Sequence, residues 1–215
     1  LSFIFSLWCV LTKAALLKQL YLWHWLSSAL CLVGILLFAI TGITLNHAAD
    51  IEAKPVISQK NAIIPAPFRQ QLSQIAEQYD GKTAPLPANI EAWLINTQGI
   101  DLHTPQDAEW TVDEVYIALP RAGGDAWARL VLTEGIFEYE LTDRGWISLF
   151  NDLHKGRHTG AVWNAFIDIF AVLCLIFSLT GLWILKLHAA NRPLVWPVVA
   201  LGVVLPALLI ILFVH

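Results

Sequence analysis

The chain has 215 residues, is 57% hydrophobic and only 14% charged, and carries ten Trp, a net charge of −4 and a mean hydropathy of +0.60. That balance excludes an ordinary soluble domain of this size, and the acidic net charge argues against a nucleic-acid partner, which would call for a basic surface. Three apolar runs, 21–45, 163–185 and 194–214, are instead long enough to cross a hydrocarbon core, which takes about 20 helical residues. The bilayer is the first partner implied.

The leader, residues 1–20, reads "LSFIFSLWCVLTKAALLKQL". No base precedes its apolar run and no small-residue cleavage box follows it, so it makes a poor signal peptide. An amphipathic helix lying in the membrane interface is expected instead. The chain starts on Leu1 and contains no Met, so a non-standard or incomplete N-terminus is expected.

Tyr21 to Leu45 forms the first expected span. None of the three spans contains Lys, Arg or Glu, and Asp168 is the one acid inside them. An ionised carboxylate in lipid costs several kcal/mol unless partnered or wet. For Asp168 a local partner such as Trp163, Asn164 or the extramembrane end of a neighbouring helix is expected, or else a proton or substrate role.

Residues 46–150 are expected to form a small α+β domain. "PFRQQLSQIAEQY" spaces Phe68, Leu72, Ile75, Ala76 and Tyr79 at helical intervals. After the Pro- and Gly-broken "GKTAPLPAN", apolar–polar alternation between the turn signals "RAGGD" and "TEG" predicts an antiparallel meander. Its strands are expected near 113–119, 126–133 and 136–142. His103 stands alone in a loop and the carboxylates are scattered, which points to a docking or sensing module without catalytic groups.

Residues 151–185 join a histidine motif, "NDLHKGRHTG", to the second span, and 186–193 form a turn before the third span at 194–214. Charge orients the assembly. The leader carries Lys13 and Lys18, the turn carries Lys186 and Arg192, and neither holds an acid. The positive-inside rule makes both cytoplasmic. The segment from Asn46 to Val162 holds nine bases and sixteen acids, a balance of −7, and belongs outside, in a bacterial periplasm.

Cys9, Cys31 and Cys174 lie in apolar sequence with no C-x-x-C pair. A disulfide framework and covalent haem attachment are both excluded, and small hydrophobic core roles are expected.

The first two spans share a pattern: an opening histidine, "LCL", a Thr-Gly pair, and a closing histidine. The pairs are Thr41-Gly42 and Thr180-Gly181. Consecutive spans run in opposite directions, so this is an inverted repeat. It distributes histidines into two layers, His24 with His188 on the inner face and His47 with His154 or His158 on the outer. Such layers suit one or two haem b groups with axial imidazoles. Gly42 and Gly181 would let a macrocycle or a helix approach closely, and Lys155 and Arg157 could pair with propionates. The plainer alternative is interfacial histidines, snorkelling bases and helix-packing glycines. Geometry limits the haem reading, because His24 and His47 are separated by about 34 Å along a helix at 1.5 Å per residue.

"LYLWHWLSSALCLVGILLFAITGITLNH" and "NDLHKGRHTGAVWNAFIDIFAVLCLIFSLTGLWIL" resemble the paired signature segments of the PepSY-associated transmembrane family. The resemblance covers residues from about Tyr21 to His188. It implies three membrane helices with an inserted PepSY-like α+β domain, and haem ligation carried onto His24, His47, His154, His158 and His188. Larger relatives include inner-membrane proteins that bind haem and reduce ferric siderophores in the periplasm. These 215 residues carry three spans and no flavin or nicotinamide motif, so a homodimer or a subunit of a larger reductase is expected, with a siderophore or a periplasmic protein as its partner. Two functions stay open: a b-type electron-transfer subunit, and a non-redox accessory protein anchored by its spans.

Overall fold

The computed structural model describes residues 2–51, 54–100, 102 and 107–214, with side chains from Lys13 onward except that of Asn191. Among the described residues three helices are long and apolar enough to cross a membrane: Lys13–Asn46, Gly160–His188 and Val195–Phe213. Helices are the form lipid requires here, since they satisfy every backbone donor and acceptor internally. The first belongs to α1 (Ser2–Asn46), so the leader continues the same helix as the first span. The others are α5 (Gly160–His188) and α6 (Val195–Phe213), joined by a short 3-10 turn at Ala189–Asn191.

The chain divides into two compact units, Leu1–Phe38 with Ala165–His215, and Ala39–Asn164. In the first, α1 packs on α5 through small and aromatic residues. A Cβ added to Gly34 would run into the Phe170 ring, so glycine lets that ring lie against α1. Phe38 stacks on Phe170 at 5.1 Å, and Phe166 continues the stack at 6.2 Å. The two "LCL" stretches meet, with Cys31 fully buried beside Cys174. Lipid tails are as apolar as these side chains, so close packing and hydrogen bonds, rather than water exclusion, hold the helices together. No residue of α6 is buried.

The second unit holds a six-stranded antiparallel sheet in the order β1-β6-β5-β4-β3-β2. Its strands are β1 (Val56–Ile63), β2 (Lys82–Pro85), β3 (Asp107–Trp110), β4 (Glu114–Ala118), β5 (Gly124–Val131) and β6 (Ile136–Asp143). The meander expected near 113–119, 126–133 and 136–142 is β4, β5 and β6, and the expected helix is α2 (Ala66–Tyr79). Alternation sends Val115, Ile117, Ala126, Ala128, Leu130 and Phe137 to one face, where all six are buried. There α2 contributes Leu72 and Ala76, and α3 (Ala88–Asn96) contributes Ile90, Trp93 and Leu94. Trp93 meets Phe137 edge-on at 5.6 Å, and the buried Trp110 indole N–H donates to Ala84 O at 2.9 Å. Each of these large apolar side chains contributes about 1.5–3 kcal/mol on burial.

The other sheet face is polar. Arg129 reaches Glu138 at 2.6 Å and Glu114 at 3.5 Å. Its guanidinium lies 6.0 Å from the Trp127 ring, which stacks on Tyr116 at 6.4 Å. The hydrogen bonds that Arg129 donates to the Glu138 carboxylate raise the Arg129 pKa further. Burial, then the carboxylates of Asp125 and Glu109, raises that of the Tyr116 phenol. His103 lies outside the described residues.

After β6 comes α4 (Gly145–Lys155), stopped by Gly156 in the left-handed conformation, whose N–H bonds Asp152 and Leu153 carbonyls. Four residues separate α4 from α5. His154 and His158 are therefore not on one helix face: His154 rides on α4, and His158 sits in the turn at φ 56°.

A candidate histidine site

Each unit contains one histidine set against the Thr-Gly pair of another helix. In the first, His24 Nδ1 lies 3.0 Å from Thr180 Oγ1. The Thr180 hydroxyl donates to Ile176 O at 2.6 Å, with Phe177 O also near at 3.0 Å. A hydroxyl has one proton, so its oxygen accepts, and His24 Nδ1–H is the donor. The imidazole stacks on Phe177 at 5.0 Å, and its Cε1 would lie 3.2 Å from a Cβ at Gly181. Gly181 thus admits the ring to the α5 backbone. Beneath it, Ser27 Oγ donates to Trp23 O at 2.7 Å and is itself buried.

In the second unit, His154 Nδ1 lies 2.7 Å from Thr41 Oγ1, and its Cε1 would lie 3.6 Å from a Cβ at Gly42. A threonine inside a helix commonly donates its proton back to its own turn, which leaves the oxygen to accept from the ring. Thr44, one turn on, has its hydroxyl 2.8 Å from Asn151 Oδ1 and 2.9 Å from Thr41 O, and its one proton is shared between them. Asn151 and Asp152 are both buried. The Asp152 carboxylate accepts the Gly123 N–H at 2.9 Å and pairs with Arg157 Nε at 3.3 Å. Trp163 Nε1–H donates to Leu153 O at 2.9 Å.

The remaining candidates are placed as follows. His188 Nδ1–H donates to Ile184 O at 2.8 Å, and its Nε2 lies 3.5 Å from the Tyr21 hydroxyl. His47 Nδ1 lies 3.2 Å from Asp50 Oδ2 in an exposed pair. His158 and Lys155 are exposed, and Arg157 is committed to Asp152. Asp168 is exposed on α5, while Asn164, a partner expected for it, accepts from Thr159 at 3.2 Å. Among the described residues no group of three or more His, Cys, Asp or Glu could hold a bare metal ion.

Residue spacing had picked out the Thr-Gly pairs for their glycines, and the threonine hydroxyls prove equally engaged. The inverted repeat was the signal that could have exposed them, because a shared Thr beside each Gly has no packing reason of its own. Asn151 and Asp152 carried no such signal, since polar residues at a helix face read as solvated.

A family model described as "Putative PepSY_TM-like" matches residues 15–215. No curated protein matches the chain, and no solved structure does. The match takes in all three membrane helices and the whole inserted domain, and the chain belongs to the PepSY_TM-like family.

Proposed function

We propose that this protein is a haem b-binding electron-transfer subunit of a bacterial inner membrane, with residues 46–162 in the periplasm and the N-terminus in the cytoplasm. One observation carries the reading: four of the five candidate histidines have Nδ1 engaged, on Thr180, Thr41, Ile184 O and Asp50. An axial histidine characteristically gives its other ring N–H to such a partner, which fixes tautomer and ring orientation. For His24, His47 and His188 that tautomer puts the lone pair on Nε2. The donor set therefore fits haem. His24 and His188 would serve one face, and His154 with His47 the other, with His158 and the Lys155 ammonium exposed beside the second set.

Haem would supply one-electron transfer there; the chain's own residues hold and orient the imidazoles. Thr180 fixes the His24 ring against Phe177, and Thr41 tethers His154 to α1. The acceptor this reading assigns is ferric iron in a siderophore on the side of the inserted domain, and the working form is a homodimer or a subunit of a larger complex. A pyridine haemochrome assay on the purified protein tests it. Haem in stoichiometric amount, with split visible bands on dithionite reduction, supports the reading, and a colourless preparation from haem-sufficient cells refutes it.

A second reading rests on the rings already filling the notches at Gly181 and Gly42. There the imidazoles act as packing pieces, and the spans anchor a non-redox accessory domain. Low-spin haem lost on His24→Ala or His154→Ala would dismiss it.

A further inference from the structure

Helix α4 is amphipathic in the reverse sense for a water-soluble domain. Its polar residues Asn151 and Asp152 are buried, at 8% and 4% exposure. Its apolar residues Trp146, Leu149 and Phe150 are exposed, at 69%, 38% and 36%. Their spacing, continued by the half-buried Leu153, is i, i+3, i+4 and i+7, one continuous stripe on one face. The polar face is fully engaged: Thr44 bonds Asn151, and Gly123 and Arg157 bond Asp152. The stripe is thus held outward by the hydrogen bonds behind it.

Beside the stripe lies an open cavity of about 360 Å³, lined by Ala48, Ile51, Lys54, Arg144, Trp146 and Ser148 among others. Two cations, a hydroxyl and an indole face this space, and no acid is among the described residues that line it. Its walls continue the membrane-spanning helices. Ala48 and Ile51 follow the end of α1, and α4 is tied to that end by Thr44 and leads into α5 through a four-residue turn.

We propose that α4 is an interfacial helix, its stripe sunk in the leaflet on the side of the inserted domain, with Lys54 and Arg144 taking the phosphate headgroup of an anionic phospholipid. The occupant follows from position and charge. A helix fixed to the ends of two spans lies at the lipid–water boundary, where exposed indoles and apolar stripes are stable. Each base near an anionic surface contributes about 1 kcal/mol, a factor of about five. A protein partner or a second copy would cover the stripe without selecting for headgroup charge.

The full chain, reconstituted in nanodiscs, tests this with brominated acyl chains that quench nearby indoles. The Trp146 signal is taken as wild type minus Trp146→Phe. Brominated phosphatidylcholine should quench that signal, and brominated phosphatidylglycerol should quench it at lower mole fraction. Lys54→Glu with Arg144→Glu should cut the phosphatidylglycerol preference by more than about tenfold and leave quenching by phosphatidylcholine in place. Absence of quenching by either lipid overturns the proposal and assigns the stripe to a protein contact. Equal quenching by both, unchanged in the double variant, overturns the headgroup site. Loss of the preference on adding inorganic phosphate at constant ionic strength also overturns it, because the cavity then takes free phosphate.

Discussion

His24 and Thr180 stand 156 residues apart in the chain, yet Nδ1 of one lies 3.0 Å from Oγ1 of the other. The bond closes a short relay, from imidazole N–H to hydroxyl to the Ile176 carbonyl, inside a pair of apolar helices. Thr180→Val keeps the shape and deletes the acceptor, leaving an unsatisfied ring N–H. The variant should lose about 0.5–2 kcal/mol of stability, measured by thermal unfolding in detergent. A Thr41→Val variant should lose a similar amount. Wild-type stability in both would mean that the hydroxyls do not hold the rings.

Gly34 and Gly202 offer a matched comparison. A methyl at Gly34 would run into the Phe170 ring, whereas nothing lies within 4 Å of one at Gly202. Gly34→Ala should be destabilised by about 1–3 kcal/mol as the aromatic stack is forced off α1. Gly202→Ala should stay within about 0.5 kcal/mol of wild type. Equal melting temperatures for the two variants would contradict the close α1–α5 approach.

Asp152 links α4 to the β4–β5 turn by accepting the Gly123 N–H. Asp152→Ala leaves that buried amide unpaired and releases Arg157, at a cost of about 1–3 kcal/mol. Asp152→Asn retains an acceptor oxygen and should recover much of the loss. Hydrogen exchange at the Gly123 amide reads the effect directly. Rapid exchange is expected in the alanine variant and slower exchange in the asparagine one.

The Tyr116 phenol has its pKa raised in the folded domain by burial and by Asp125 and Glu109. Folding therefore favours the neutral phenol. This contribution is complete below the unfolded value, about 10, and is lost as pH rises through the higher folded value. Stability of the inserted domain should fall at strongly alkaline pH, and Tyr116→Phe should flatten that fall. Identical alkaline profiles for the two proteins would remove Tyr116 as the cause.

Orientation is tested by reporters. A fusion after Asp101 to an enzyme active only in the periplasm should be active, and one after Ala190 should be silent. Four bases and no acid on the proposed inner segments motivate this pattern. The reverse pattern would turn the protein over and move both histidine sets to opposite faces.

Run length and composition were enough to determine the three spans, because lipid accepts long apolar helices and little else. Period-two alternation was enough for β4 and β5, whose buried and less buried residues alternate, and for β6, which buries Phe137 beside them. The paired "LCL" and Thr-Gly patterns were legible as a repeat and do meet histidines or each other. Only the tertiary structure decided the rest. β1 reads "VISQKNAI", an edge strand exposed on nearly every residue, and β2 is four residues ending in Pro85. Both exist because β6 and β3 supply hydrogen-bonding edges, which no local pattern records. The nine-residue α3 was hidden by Pro85 and Pro87 and stands on the core that Trp93 and Leu94 join. The direction of α4 was hidden for a deeper reason. Asn151 and Asp152 turn inward only because Thr44 and Gly123, brought from distant segments, offer them bonds that water would otherwise make, and that exchange decides which face of the helix is left for lipid.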